Sequence, residues 1–187
     1  AGCEVTAAGL RNEDAVTLQR KASIDCEYDL VNPIAYQAPI APHIAAKQNN
    51  ETIDLNKVDQ SYALLLAKQP ELLLTEGAGG WQLPIEDTRY FSEWVAKKQL
   101  DVVLVVGVKL GCLNHAVLTA QAIAASGANL VGWVANSLSS DIANYGEMVA
   151  TLKQALVKPL LGEIPYFSST VQQTPELHLD LSSILKK

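Results

Sequence analysis

Val102-Val103-Leu104-Val105-Val106-Gly107-Val108-Lys109-Leu110-Gly111-Cys112-Leu113-Asn114-His115 is the stretch that decides the fold. Its first half is an unbroken Val/Leu run, far shorter than the ~20 apolar residues a bilayer span needs. An apolar run without polar alternation is the mark of a strand buried on both faces, as in parallel sheets. Val102 to Val106 is therefore read as a strand. The second half turns through Gly107 and Gly111 into an Ala-rich stretch, Asn114 to Ala125, which reads as a helix closed by Gly127. Strand, glycine-bearing loop and helix in this order make half of a βαβ unit.

The same alternation continues on both sides. Leu130 to Ala135 reads as a strand, Ile142 to Val157 as a helix, and Leu160 to Ile164 as a strand stopped by Pro165. Upstream, Leu72 to Thr75 is a short buried-strand candidate, and Thr88 to Lys98 a helix with Phe91, Trp94 and Val95 on one face. Strands and helices in alternation imply right-handed crossovers, hence an α/β fold with a parallel sheet flanked by helices on both faces. Nearer the N-terminus, Asn12 to Ala22 reads as a helix capped by Asn12, and Asp54 to Lys68 as another stopped near Pro70. Between them, Pro33, Pro39 and Pro42 mark an irregular connection over the sheet edge. No repeat or linker divides the chain, so residues 1–187 are expected to form a single α/β domain.

Composition removes several function classes. Hydrophobic residues at 49% against 18% charged describe a globular chain rather than a disordered one. Fourteen Lys and Arg against 20 Asp and Glu leave a net charge of −6, with no dense basic run, which argues against nucleic acid as a partner. No basic-then-apolar leader or membrane segment is expected. Cys3, Cys26 and Cys112 show no metal-ligand spacing, so a reduced, cytoplasmic protein is expected. His43, His115 and His178 have no Ser or Cys at suggestive spacing and read as structural.

In open parallel sheets, ligands bind beyond the carboxyl ends of the strands. Those positions hold the unusual residues of this chain: Glu76-Gly77-Ala78-Gly79-Gly80-Trp81, Gly107 to Asn114, Asn136, and Pro165-Tyr166-Phe167. Glu76 follows Leu72 to Thr75 directly, a placement that suits Mg²⁺, which takes one or two carboxylates plus waters and phosphates. The glycines behind it let backbone amides approach an anion, although they serve equally for a tight turn. Gly107 to Asn114 precedes a helix N-terminus, which can take a carboxylate or phosphate or simply pack. Lys109 adds charge there or is solvated. Asn136 can donate and accept at once, as a base edge requires, or form a turn. Pro165-Tyr166-Phe167 forms a wall for a flat ring or part of the core. Asp14 is at least a helix-dipole partner and alternatively a second acid for the metal.

Taken together, the chain resembles the dethiobiotin synthetases. The resemblance covers nearly its whole length and rests on Gly9-Leu10-Arg11-Asn12-Glu13-Asp14-Ala15, Ala41-Pro42-His43, Glu76 to Trp81, Val105 to His115, Gly132-Trp133-Val134-Ala135-Asn136 and Leu161-Gly162-Glu163-Ile164-Pro165. The Gly-rich acid motif is shared with amidotransferase-type cobyrinate synthases, whereas Val108 to His115 is more particular. The resemblance implies a P-loop NTPase-like fold and an ATP- and Mg²⁺-dependent ring closure joining CO₂ to 7,8-diaminopelargonate in biotin synthesis. It implies Mg²⁺ at Asp14 and Glu76, and nucleotide phosphates along Glu76, Gly77, Ala78 and Gly79. It further implies adenine at Asn136 and Ser137, flanked by Pro165, Tyr166 and Phe167. The substrate carboxylate would lie at Gly111, Cys112, Leu113 and Asn114 across a homodimer interface.

Members of that family begin with a strand, a Gly-x-x-x-x-x-Gly-Lys-Thr P-loop, a helix and a Lys-Pro pair, none of which occurs in these residues. Ala1 stands where the family places a Ser, and Gln172 and Gln173 where it often places a Glu. No catalytic residue of the family is therefore present, and the sequence is expected to be part of a longer natural chain. The alternatives are a non-catalytic relative that has lost the P-loop and a related P-loop amidoligase acting on another substrate.

Overall fold

Near its start the chain folds back on itself, with β1 (Glu4–Thr6) antiparallel to β2 (Gly9–Arg11) and Thr6 opposite Gly9. The structure is a computed structural model and describes residues 2–168 and 174–185. This hairpin is too short to show an alternating pattern in the sequence. The Asn12 side chain then accepts from the Ala15 amide at 3.1 Å and opens α1 (Glu13–Lys21), as its cap chemistry requires. The connection expected to be irregular contains two short helices, α2 (Tyr28–Val31) and α3 (Pro42–Gln48). Pro42 begins α3 rather than breaking it, since the first helical turn needs no intrahelical N–H bond. Asp54 accepts from the Asn56 amide at 2.9 Å and opens α4 (Leu55–Ala67).

By its internal packing the chain divides into two units, Ala1–Phe91 and Ser92–Lys187. In the first, Ala46, Ile53 and Ile85 are buried, with Ile34, Tyr36, Leu55 and Phe91 around them. The strand expected over Leu72 to Thr75 does not form. Those residues join no ladder among the described residues, and Leu72 and Leu74 are 61% and 71% exposed. A strand exists only through its neighbour's hydrogen bonds, and composition alone does not supply the neighbour. The helix expected from Thr88 starts instead as α5 (Phe91–Lys97), because Tyr90 is bridged to Pro84 and the Phe91 amide donates to the Leu83 carbonyl at 2.9 Å.

The second unit is built on β3 (Asp101–Val108), β4 (Asn129–Ser137) and β5 (Leu160–Ile164), parallel and in that order. The connections are α6 (Cys112–Ala125) and α7 (Tyr145–Leu156). Val106, Val108, Trp133 and Ala135 from the sheet meet Cys112, Ala116, Val149, Leu152 and Leu156 from the two helices in one core. Val134, on the opposite face of β4, is buried as well. Burial on both faces thus holds for the central strand. It fails for β3, where Val103 and Val105 are 39% and 60% exposed, because β3 pairs on one side only among the described residues. The fold is α/β, a parallel sheet flanked by helices. No described helix is long and apolar enough to cross a membrane.

The segment after Thr174 closes against the free edge of β5. Gly162 bridges Leu179, and the Asp180 amide donates to the Leu161 carbonyl at 2.7 Å. A Cβ on Gly162 would overlap the His178 carbonyl oxygen, a backbone atom that cannot swing aside. Gly162→Ala is therefore expected to cost about 2 kcal/mol through overpacking, and to speed amide exchange at Leu179 and Asp180 first. Unchanged stability and exchange would show that this edge contact is not held in solution.

Candidate functional site

Register sets three strand ends level. Gly107 of β3 stands opposite Asn136 of β4, and Asn136 opposite Ile164 of β5. The loops that follow leave from one carboxyl edge, the place where such sheets bind ligands. Asn136 and Ser137 are half-buried there. Pro165 and Tyr166 are exposed, while half-buried Phe167 meets His178 edge-on, with ring centroids 6.1 Å apart at 63°.

Gly111 caps α6 at the same edge with φ +90°, a conformation few side chains tolerate. The amides of the first turn have no helical carbonyl to meet. That of Cys112 turns back to the Lys109 carbonyl at 3.0 Å, which leaves those of Leu113 and Asn114 for an anion. The Cys112 side chain is buried with its Sγ 4.0 Å from Met148 Sδ, so it serves the core. Lys109 and Leu110 are exposed beside this turn.

In the first unit, Asp14 lies exposed in the first turn of α1, together with Glu13, where the helix dipole favours both. Glu76 is exposed in irregular chain, since no strand leads into it. Gly79 and Gly80 follow with φ +92° and +91°, a left-handed pair that makes the turn expected of them. The half-buried Trp81 next to them keeps its indole N–H buried without an acceptor among the described residues, as does Nδ1 of His43. Gly77 and Ala78 complete the loop, with the Phe91 ring 3.7 Å from where a Cβ on Gly77 would sit.

Neither Asp14 nor Glu76 has a hydrogen bond or ion pair to protein among the described residues, so hard carboxylate oxygens stand available. No described group of three or more acidic, His or Cys side chains is placed to hold a metal. Two carboxylates completed by water and phosphate are what Mg²⁺ accepts, and the donor type fits that ion. Ala1, Gln172 and Gln173, where the resemblance marks departures, lie outside the described residues.

A cluster unmarked in the sequence reading lies beside the sheet edge. The Tyr145 hydroxyl of α7 donates to Glu163 Oε2 of β5 at 3.0 Å, and Lys153 Nζ lies 3.4 Å from Oε1. Burial holds the Tyr145 phenol above its ordinary pKa, and the Glu163 carboxylate adds to this, while the nearby Ser137 side chain pulls the other way. The signal was present in Leu160-Leu161-Gly162-Glu163-Ile164, because an acid inside an apolar strand has to find a partner.

A family model described as an AAA domain matches residues 3–174. The chain is 49% identical over 169 residues to the ATP-dependent dethiobiotin synthetase BioD of Vibrio campbellii, covering 90% of this chain and 74% of that protein. It is 46% identical to ATP-dependent dethiobiotin synthetase BioD 1 of Salmonella typhi, covering 98% and 80%, and 44% identical to the Aeromonas hydrophila enzyme, covering 99% and 82%. This chain, with its P-loop NTPase-like α/β fold, belongs to the ATP-dependent dethiobiotin synthetases, a family of ligases acting on small molecules.

Proposed function

We propose that the protein catalyses the ATP- and Mg²⁺-dependent carboxylation and ring closure of 7,8-diaminopelargonate with CO₂, giving dethiobiotin for biotin synthesis in the cytoplasm. The observation that carries the reading is the level register of Gly107, Asn136 and Ile164, which supports a nucleoside site at the edge where α6 also begins.

The chemistry balances in three steps. One amine adds to CO₂ and loses a proton, giving a carbamate. The carbamate oxygen takes the γ-phosphoryl group of ATP and releases ADP. The second amine attacks the carbamoyl carbon, the C–O bond to phosphate breaks, and the cyclic urea leaves with inorganic phosphate and a proton.

The residues of this chain divide these tasks. Asn136 offers an amide donor and acceptor to the adenine edge, with Ser137 beside it and Pro165, Tyr166 and Phe167 flanking the ring. The backbone of Glu76, Gly77, Ala78 and Gly79 lines the phosphates, where the Trp81 N–H, without an acceptor among the described residues, is a further donor. Asp14 and Glu76 would hold Mg²⁺, which when bound neutralises charge building on the phosphoryl oxygens. The α6 N-terminus, through Gly111 to Asn114, takes the substrate carboxylate by its free amides and dipole, and a second copy in a homodimer completes that site.

The test is incorporation of labelled bicarbonate by the protein expressed from its full coding sequence. Label should enter dethiobiotin only when both ATP and diaminopelargonate are present. Incorporation with a different diamine and none with this one would move the reading to a related amidoligase. No ATP-dependent incorporation with any diamine would end it.

A further inference from the structure

The pair of Tyr145 and Glu163 has no task in the mechanism above, yet it joins elements that mechanism needs held in register. Ser137 is the last residue of β4, one past Asn136, and Glu163 is two residues before Pro165. Trp133 and Ala135 face the core beneath α6 and α7. Strand alternation puts Ser137 on that same face, and Glu163, opposite Ala135, joins it. Tyr145, first residue of α7, packs against the core to which Trp133 and Ala135 belong. Its hydroxyl donates to Glu163 Oε2 at 3.0 Å. Lys153 on the same helix, 3.4 Å from Oε1, holds the other carboxylate oxygen.

We propose that Tyr145 is a positioning residue for nucleobase recognition. By tying α7, packed on the core face of β4, to the end of β5, its hydroxyl fixes the Pro165-Tyr166-Phe167 wall relative to the Asn136 amide. This rests on the reading of that edge as the nucleoside site. Among the described residues the backbone beyond Ile164 has no ladder partner of its own, since β4–β5 pairing ends at Asn136 and Ile164. The bond to Glu163 from Tyr145, which packs on the core shared by Trp133 and Ala135 of β4, continues the tie where the ladder stops. Loss of the hydroxyl leaves the phenyl ring packed against the core and frees the loop. The result is a looser fit to the base and no change in the phosphoryl-transfer chemistry.

The experiment measures kcat and KM for ATP, GTP and diaminopelargonate with the full-length protein. In Tyr145→Phe the KM for ATP should rise roughly three- to tenfold, the range one hydrogen bond covers. Discrimination against GTP should shrink, with kcat and the diaminopelargonate KM within about twofold of wild type. Glu163→Leu should reproduce this pattern. Glu163→Gln, whose amide oxygen still accepts from the phenol, should restore most of it. The proposal is overturned if Tyr145→Phe leaves the ATP KM and nucleobase preference unchanged while Asn136→Ala abolishes that preference. It is equally overturned if kcat and both KM values worsen together, as general loosening would cause. If the wild type shows no preference for ATP and Asn136→Ala changes nothing, the nucleoside-site reading itself falls and takes this inference with it.

Discussion

Trp133→Ala is expected to remove about 4 kcal/mol of stability, the middle of the range for truncating a buried aromatic ring. Trp133 is fully buried in the central strand and shares its core with Leu152, also fully buried, and with Val108 and Ala135. Cutting back the indole opens a cavity that these neighbours, fixed to strands and helices, refill only in part. A second loss accompanies the first. The indole N–H donates to the Lys158 carbonyl at 3.1 Å, and without it that carbonyl loses its partner at the turn into β5. Trp133→Phe separates the two contributions. It keeps most of the packing and loses the hydrogen bond, and should cost about 1–3 kcal/mol. Urea unfolding followed by far-ultraviolet circular dichroism gives both numbers. A Trp133→Ala loss under about 1 kcal/mol would mean that the packing around β4 is not the one described.

The parts of this fold that could be read in advance are those whose cause is local. Asn12 and Asp54 announced two helices because a cap needs only its own side chain and an amide two or three residues on. Val102 to Val106, Leu130 to Ala135 and Leu160 to Ile164 are strands because short, mostly apolar stretches rich in Val and Leu have few other ways to be buried. Leu72 to Thr75 is as apolar and pairs with no strand among the described residues, since pairing is decided by a neighbour that four residues do not encode. Pro42 misled in the opposite direction, because proline starts a helix as readily as it stops one. The site divides along the same line. That Asn136, Pro165 and Gly111 belong to one edge followed from strand order, and register bears it out. The clamp made by Tyr145 and Glu163 depends on where α7 docks, which no residue of either element reports alone.

Glu76→Gln is expected to lower the rate of ATP-dependent ring closure about 100-fold, the usual scale for losing one group that stabilises transition-state charge. Asp14→Asn should do the same. Both carboxylates are exposed and make no described contact with protein, so Glu76→Gln should leave the unfolding midpoint in place and Asp14→Asn should cost no more than its helix-dipole contribution of about 0.3–1 kcal/mol, and stability separates a site effect from a folding effect. Each variant should also need more Mg²⁺ to protect the protein against heat in the presence of ATP, a readout that does not depend on turnover. The decisive measurement is the double variant. Two ligands of one ion act as a unit, so once the first is lost the second has little left to contribute, and the combined rate loss should stay near a few hundredfold. If Asp14 and Glu76 acted on separate events, their penalties would multiply towards about 10⁴-fold. That outcome would remove the shared metal from the proposed mechanism while leaving the nucleoside edge of the second unit intact.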